Sequence, residues 1–143
     1  MRYEPRRAIP TPEDRAAGAA AVSRIARIRG AVFVPHHGYL AILAGKRNSA
    51  HTVAMDDIFL EDAAGAGRDL ENEMLGALRE RRFAAVVIES DGRYASEIEP
   101  YYGTCEALFE RGDVFWPVAG AHLRPEVLCT PRPEAASAPR EAR

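Results

Sequence analysis

Four histidines are the side chains best suited to chemistry in this sequence, and two of them, His36 and His37, are adjacent. Imidazoles serve as general bases, proton carriers and metal ligands near neutral pH. The spacing argues against a metal, because the sequence has no His-x-x-x-His pair and no other close-set group of ligands. On an extended segment, adjacent side chains point to opposite sides, so we expect at most one of the two to face a shared site. We therefore predict no metal site and no cofactor.

The position of these histidines favours ligand binding more than their residue type does. His36 and His37 follow an apolar run at 31–34, and Asp91 and Arg93 follow a second apolar run. Ligands of open α/β sheets bind beyond the carboxyl ends of the strands, where helix N-termini offer free N–H groups. The sequence therefore predicts a crevice for a small polar ligand beside His36, His37, Asp91 and Arg93. Neither run is followed by a glycine-rich phosphate-binding motif, which disfavours a nucleotide.

Cys105 and Cys129 are the only two cysteines, and they are widely separated in the sequence. Structural zinc sites use closely spaced pairs, so this spacing matches none. Two buried, unreactive thiols are the favoured interpretation, because cysteine is among the most buried residue types. The alternative is a disulfide between the two cysteines, which requires the domain to lie outside the cytoplasm. Neither Cys105 nor Ser90 has a sequence partner that would activate it, so we predict no catalytic residue.

Composition excludes several classes of protein. The chain has 143 residues, is 47% hydrophobic and 28% charged, and carries a formal net charge of −2. A charge this small creates no field that favours nucleic acid or an anionic membrane surface. Each apolar run is far shorter than the ~18 residues of a membrane helix, and no apolar segment follows the N-terminal arginines. We expect the chain, as it stands, to be soluble.

The predicted elements alternate between helix and strand. Thr11 as N-cap, Pro12 in the first turn and Gly30 after the last apolar residue predict a first helix. Continuous apolar residues predict buried strands at 31–34 and 83–90. The remaining predictions are a helix at about 38–44, a β-prone piece at 51–55, an amphipathic helix over 68–83, a helix from 97 or 100 to 111, a strand at 114–118 and an edge strand at 126–130.

This order of elements predicts a single α/β domain over residues 11–130. We expect three layers, with a small, mainly parallel sheet and flanking helices in a Rossmann-like arrangement. Residues 1–10 are basic and interrupted by prolines, which indicates an extended lead-in. Residues 131–143 consist largely of Pro, Ala, Glu and Arg, a composition that indicates a disordered tail.

Three stretches together resemble a known family. They are "VFVPHHGYLAILAGKRNSAHTVAMDD", "LRERRFAAVVIES" and "YYGTCEALFERGDVFWPVAGAHLRPEVLCTPRP". Their pattern is similar to the C-terminal soluble region of bacterial GT-C-type membrane glycosyltransferases, of the protein mannosyltransferase and aminoarabinose-transferase kind. The resemblance covers about residues 11–133.

The resemblance implies an accessory domain of an enzyme that transfers a sugar from a polyprenyl-phosphate carrier. It implies a transmembrane half as partner, an indirect link to the lipid-linked sugar, no nucleic acid, and a place at the extracytoplasmic face of the cytoplasmic membrane. The family's catalytic acidic residue lies in the membrane half, so the isolated chain would not be catalytic. The residues leave two alternatives open: a stand-alone small-ligand-binding module, and, with less support, a small hydrolase or metal enzyme that uses the histidines.

Overall fold

The computed structural model describes residues 9–49, 51–61, 65–90, 94–116 and 123–133. Within these ranges the chain forms five helices and four strands. In chain order they are α1 (Pro12–Arg27), β1 (Val32–Phe33), α2 (Gly38–Leu43), α3 (Thr52–Leu60), α4 (Ala66–Arg79), β2 (Ala85–Ile88), α5 (Ala95–Ile98), β3 (Thr104–Ala107) and β4 (Val127–Thr130). None of the described helices is both long enough and apolar enough to cross a membrane.

The four strands form one mixed sheet in the order β1-β2-β4-β3. Only β1 and β2 are parallel, with Phe33 opposite Val86. The β4 strand lies between β2 and β3 and is antiparallel to both. The α/β class and the single domain are confirmed, but the prediction of a mainly parallel sheet with β4 at its edge is wrong. An apolar run indicates a buried strand but carries no information about its direction or its neighbours.

Side chains on the two faces of the sheet belong to two separate apolar cores. Along β2, Ala85 and Val87 belong to one core, and Val86 and Ile88 belong to the other, as the alternation of a strand requires. The first core includes buried residues of α1 and α2, and the second includes buried residues of α3, α4 and α5. The sheet is therefore flanked by helices.

The first helix follows the local signals in its sequence. The Thr11 side chain accepts a hydrogen bond from the backbone of Asp14, and the Asp14 side chain accepts one from the Thr11 backbone, which forms a reciprocal capping box. Pro12 occupies the first turn, and Gly30 adopts a φ of 111° just beyond the helix. These residues confirm the predicted start and end, because each satisfies a requirement of the helix terminus itself.

Three predicted elements are wrong. Residues 51–55 do not form a β piece but begin α3, in which Met55 is buried in the core shared with α4. The helix predicted up to residue 111 stops at Ile98, and β3 replaces its second half. Of the strand predicted at 114–118, the structure describes 114–116, which are irregular. In each case tertiary packing outweighs a local preference.

Gly103 marks the point at which the predicted helix fails. A Cβ atom at this position would clash with the Arg132 side chain as it lies here, so Arg132 packs directly against the backbone of Gly103. The Arg132 backbone N–H donates to the Tyr101 carbonyl over 2.8 Å, and its Nε donates to the Glu99 carbonyl over 3.1 Å. Contacts with the chain beyond β4 therefore fix this turn, and β3 begins directly after it.

Cys105 and Cys129 form a disulfide between β3 and β4. They are directly opposite in the antiparallel register, with Cα atoms 4.0 Å apart. The interpretation of two unreactive thiols is therefore wrong. The alternative interpretation, a disulfide between the two cysteines, is the correct one. Cys105 was predicted on a helix, where it could not face Cys129, and the strand pairing brings the two together.

Candidate functional site

The candidate site lies at the carboxyl ends of β1 and β2. These strands are parallel neighbours, so the residues that follow them meet at one edge of the sheet. His36 and His37 follow β1 and lead into α2, and Glu89 follows β2 directly. The predicted position of the site is therefore the position at which the structure gathers these polar side chains.

Glu89 is the centre of the site. Its Oε2 lies 2.8 Å from Nδ1 of His36, and its Oε1 lies 3.3 Å from Nε2 of His37. The Nδ1–H of His36 donates to the carboxylate, whereas the His37 contact is close but lacks hydrogen-bond geometry. Only 4% of Glu89 is exposed. A buried carboxylate is thus held between two imidazoles.

Both histidines face the same group, which corrects the expectation that at most one would do so. His37 is the N-cap of α2, with φ −124° and ψ 46°, so the chain turns at this residue instead of running extended. The turn rotates the second imidazole to the side of the first, and the two ring centroids are 6.4 Å apart. The alternation rule applies to strands and fails where a strand ends.

Glu89 is ionised over the whole physiological range. Burial alone would raise the pKa of this carboxyl group, since it removes water from the charged form. The hydrogen bond from His36, the close contact with His37, a backbone hydrogen bond at Glu89 itself and the charge of His36 outweigh burial and lower the pKa to about 2. The imidazoles of His36 and His37 therefore face a negative charge that orients them.

His51 connects the backbone of His36 to the start of α3. Its Nδ1 accepts a hydrogen bond from the Val53 backbone N–H at the start of α3, over 3.2 Å. Its Nε2 must then carry the proton, and it donates to the carbonyl oxygen of His36 over 2.9 Å. The Thr52 N–H also donates to the carbonyl of Pro35. We call His36, His37, His51 and Glu89 the histidine–glutamate cluster.

Ser90 and Glu126 are further polar residues at this edge of the sheet, beside the histidine–glutamate cluster. Ser90 follows Glu89, and both its backbone N–H and its hydroxyl donate to Oε2 of Glu126. Asp91 and Arg93, predicted to line the crevice, lie outside the described residues. In the part of the chain that is described, no group of three His, Cys, Asp or Glu side chains has the geometry to hold a metal ion.

A cavity of about 440 Å³ opens beside His37. Its walls come from the start of α1, from α2 and from the segments on either side of 117–122. The lining residues are Pro10, Asp14, Arg15, His37, Tyr39, Phe115, Trp116, Leu123 and Pro125. His37 therefore links the buried carboxylate to a space that a small molecule can occupy.

The arrangement can bind a polar ligand through His37, which lines the cavity and contacts the carboxylate of Glu89. The ionised carboxylate of Glu89 fixes the orientation of the imidazole rings beside it. No matching family model, curated protein or solved structure was found for the chain. Membership of the glycosyltransferase family therefore stays a prediction.

Proposed function

We propose that the chain is a binding domain that holds a small polar ligand at the carboxyl ends of β1 and β2. One observation carries the proposal: Glu89 is almost fully buried, is ionised, and contacts two imidazoles, one of which lines a cavity. Burying a charge costs free energy unless partners compensate it. Charges retained in this way, with strongly shifted pKa values, concentrate at functional sites.

A thermal-shift screen of small polar metabolites tests this proposal. We expect at least one compound to raise the melting temperature of the chain, and we expect Glu89→Gln and His37→Ala to abolish that rise. Glu73→Gln is the matched control, because Glu73 is an exposed carboxylate on α4, on another part of the surface. A screen without any hit, or hits that are unchanged in both cluster variants, would contradict the proposal.

A second candidate function is the accessory domain of a polyprenyl-phosphate-sugar-dependent membrane glycosyltransferase. One observation favours it: Tyr39, Ile42 and Leu43 are 48%, 59% and 66% exposed, and their spacing places them on one face of α2. Large apolar side chains are also exposed on α3. Exposed apolar surface of this kind supports docking onto another protein surface. The transmembrane half as its partner is proposed from the sequence resemblance.

The native locus upstream of Met1 tests this second candidate. We expect the reading frame to continue into several apolar segments of about 20 residues each, the length of a membrane helix. A frame that opens at Met1, with no such segments encoded nearby, would reject the accessory-domain function. It would leave the binding domain as the proposal to pursue.

The extracytoplasmic location is also a proposal, and the disulfide supports it. Disulfides persist in oxidising compartments and are rare in the cytosol. Trapping the free thiols of intact cells with an alkylating reagent should leave Cys105 and Cys129 unmodified. Alkylation of both residues without prior reduction would place the domain in a reducing compartment.

We also propose that the helices and the sheet form three layers in a Rossmann-like arrangement. Helices that contribute to the core on each face of the sheet support it, as does the helical connection between the parallel strands β1 and β2. An experimental structure with a left-handed connection between these strands would contradict it.

A further inference from the structure

The cavity beside His37 has aromatic walls that the fold holds in place. The rings of Phe109 and Phe115 stack with centroids 5.1 Å apart, and the Arg124 guanidinium lies 4.6 Å from the centre of the Trp116 ring. The indole N–H of Trp116 donates to the Gly112 carbonyl over 2.8 Å. These contacts fix the orientation of the Phe115 and Trp116 rings, so ligand binding does not lose conformational entropy by ordering them.

Phe115 occupies its place at the expense of backbone strain. Its φ is 62°, in the left-handed region that bulky side chains rarely adopt. The backbone N–H of Phe115 donates to Oδ1 of Asp14 over 2.7 Å, and the ring packs against Gly18, where a Cβ would clash. Strained residues persist where the surrounding structure holds them, and they cluster at ligand sites.

The two charged residues from α1 contribute differently to the cavity. The Asp14 carboxylate accepts hydrogen bonds from the Phe115 N–H and from the backbone and hydroxyl of Thr11, so it is fully engaged in structure. These bonds lower the pKa of Asp14, the Phe115 N–H having the largest effect. The Arg15 guanidinium is exposed and has no ion-pair partner in the described part of the chain. The cavity therefore contains a guanidinium without an ion pair among the described residues, next to a carboxylate whose oxygens already accept hydrogen bonds.

We propose that this cavity binds a small organic anion in which a flat ring carries a carboxylate or phosphate group. The ring packs against the aromatic walls formed by Tyr39, Phe115 and Trp116. The anionic group accepts hydrogen bonds from Arg15, whose planar guanidinium suits two acceptor oxygens at once, and from His37. This inference rests on the proposed binding function and specifies the class of ligand.

Fluorescence of Trp116 gives a direct test, because Trp116 is the only tryptophan in the chain. The probes are phenyl phosphate, inorganic phosphate and benzyl alcohol, which separate the ring from the charge. We expect a saturable change with phenyl phosphate, and binding at least about tenfold weaker for each of the other two probes. Phenyl phosphate that binds no better than benzyl alcohol would overturn the role of the anionic group. If it binds no better than inorganic phosphate, the role of the ring is overturned.

Variants locate the anionic group. We expect Arg15→Gln to weaken phenyl phosphate binding about tenfold and to leave benzyl alcohol binding unchanged. Arg27→Gln is the matched control, since Arg27 is an exposed arginine in the last turn of the same helix. Tyr39→Ala should weaken both ring-bearing probes, and Tyr39→Phe should bind them as the native chain does. Equal binding in Arg15→Gln and Arg27→Gln would overturn the proposal.

The outcome also distinguishes this inference from the function on which it rests. A neutral or cationic compound from the thermal-shift screen that depends on Glu89, together with no binding of phenyl phosphate, would overturn the ligand class alone. A screen in which no compound binds at all would overturn the proposed function itself.

Discussion

Glu89 and Arg124 are both charged and both buried, with 4% and 8% of each residue exposed, but their partners differ in kind. Nη1 of Arg124 donates to the carbonyls of Gly112 and Val114 over 2.9 Å and 2.8 Å, and its guanidinium lies over the Phe109 and Trp116 rings. Glu89 contacts imidazoles instead.

The difference lies in what the partners can do. Backbone carbonyls cannot change charge or leave, so the bonds of Arg124 fix one conformation of the segment 111–116. One of the imidazoles beside Glu89, that of His37, also lines a cavity, so a ligand there can contact a group that touches Glu89. We interpret the first buried charge as structural and the second as functional.

The largest expected effect comes from Arg124→Met, which keeps much of the volume but removes the charge and its hydrogen bonds. The buried Val114 carbonyl loses its donor, the Gly112 carbonyl keeps only that from the Trp116 indole, and two rings lose a cation, so we expect the free energy of unfolding to fall by about 4 kcal/mol. Guanidinium-induced unfolding measures it. Arg111→Gln is the control, and we expect little change because the Arg111–Asp113 pair is exposed. A loss below about 1 kcal/mol for Arg124→Met would contradict a structural role.

The second prediction concerns acid. The folded-state pKa of Glu89 is about 2, below its ordinary value of 4.5. Its stabilising contribution is therefore complete above about pH 4.5 and is lost as the pH falls towards 2. Between pH 5 and pH 2, we expect the native chain to lose about 3 kcal/mol more of its free energy of unfolding than Glu89→Gln does.

Glu126→Gln is the control for this acid effect. Hydrogen bonds from the Ser90 hydroxyl and backbone lower the pKa of Glu126, but this carboxylate is only partly buried. We therefore expect it to account for a smaller part of the acid dependence. If both variants lose stability with acid as the native chain does, the carboxylate between the imidazoles is not the group that responds.

The two regions also differ in how far the sequence predicts them. The position of the site follows from apolar runs that end in polar residues, and such runs are local signals. Glu89 could have been chosen on the same grounds, since a carboxylate that directly follows a fully apolar strand lies at the ligand-binding edge. The contact of both histidines with Glu89 depends on the turn at His37, which the sequence pattern does not reveal.

The β3–β4 region depends on contacts between distant residues. Its disulfide requires β3 to pair with β4 in a register that places Cys105 opposite Cys129. The spacing of residues between 97 and 111 predicts a helix where β3 forms, and Gly103 is the sequence signal for a break in that helix. Local signals therefore predicted α1 and the position of His36 and His37 after β1, whereas pairing between distant segments made the sheet order unpredictable.

The smallest predicted effect concerns His51. It tests whether the hydrogen bonds of His51 help to position His36 and His37, in addition to the charge of Glu89. His51→Ala removes the N-cap of α3 and the donor to the His36 carbonyl, and we expect the free energy of unfolding to fall by about 1 kcal/mol. His51→Asn restores the cap, because asparagine is a good N-cap residue, but its shorter side chain does not reach His36. If His51 positions the cluster, His51→Asn regains stability while the affinity for a ligand of the cluster stays reduced. If ligand affinity recovers together with stability, His51 only caps the helix, and Glu89 alone positions the two imidazoles.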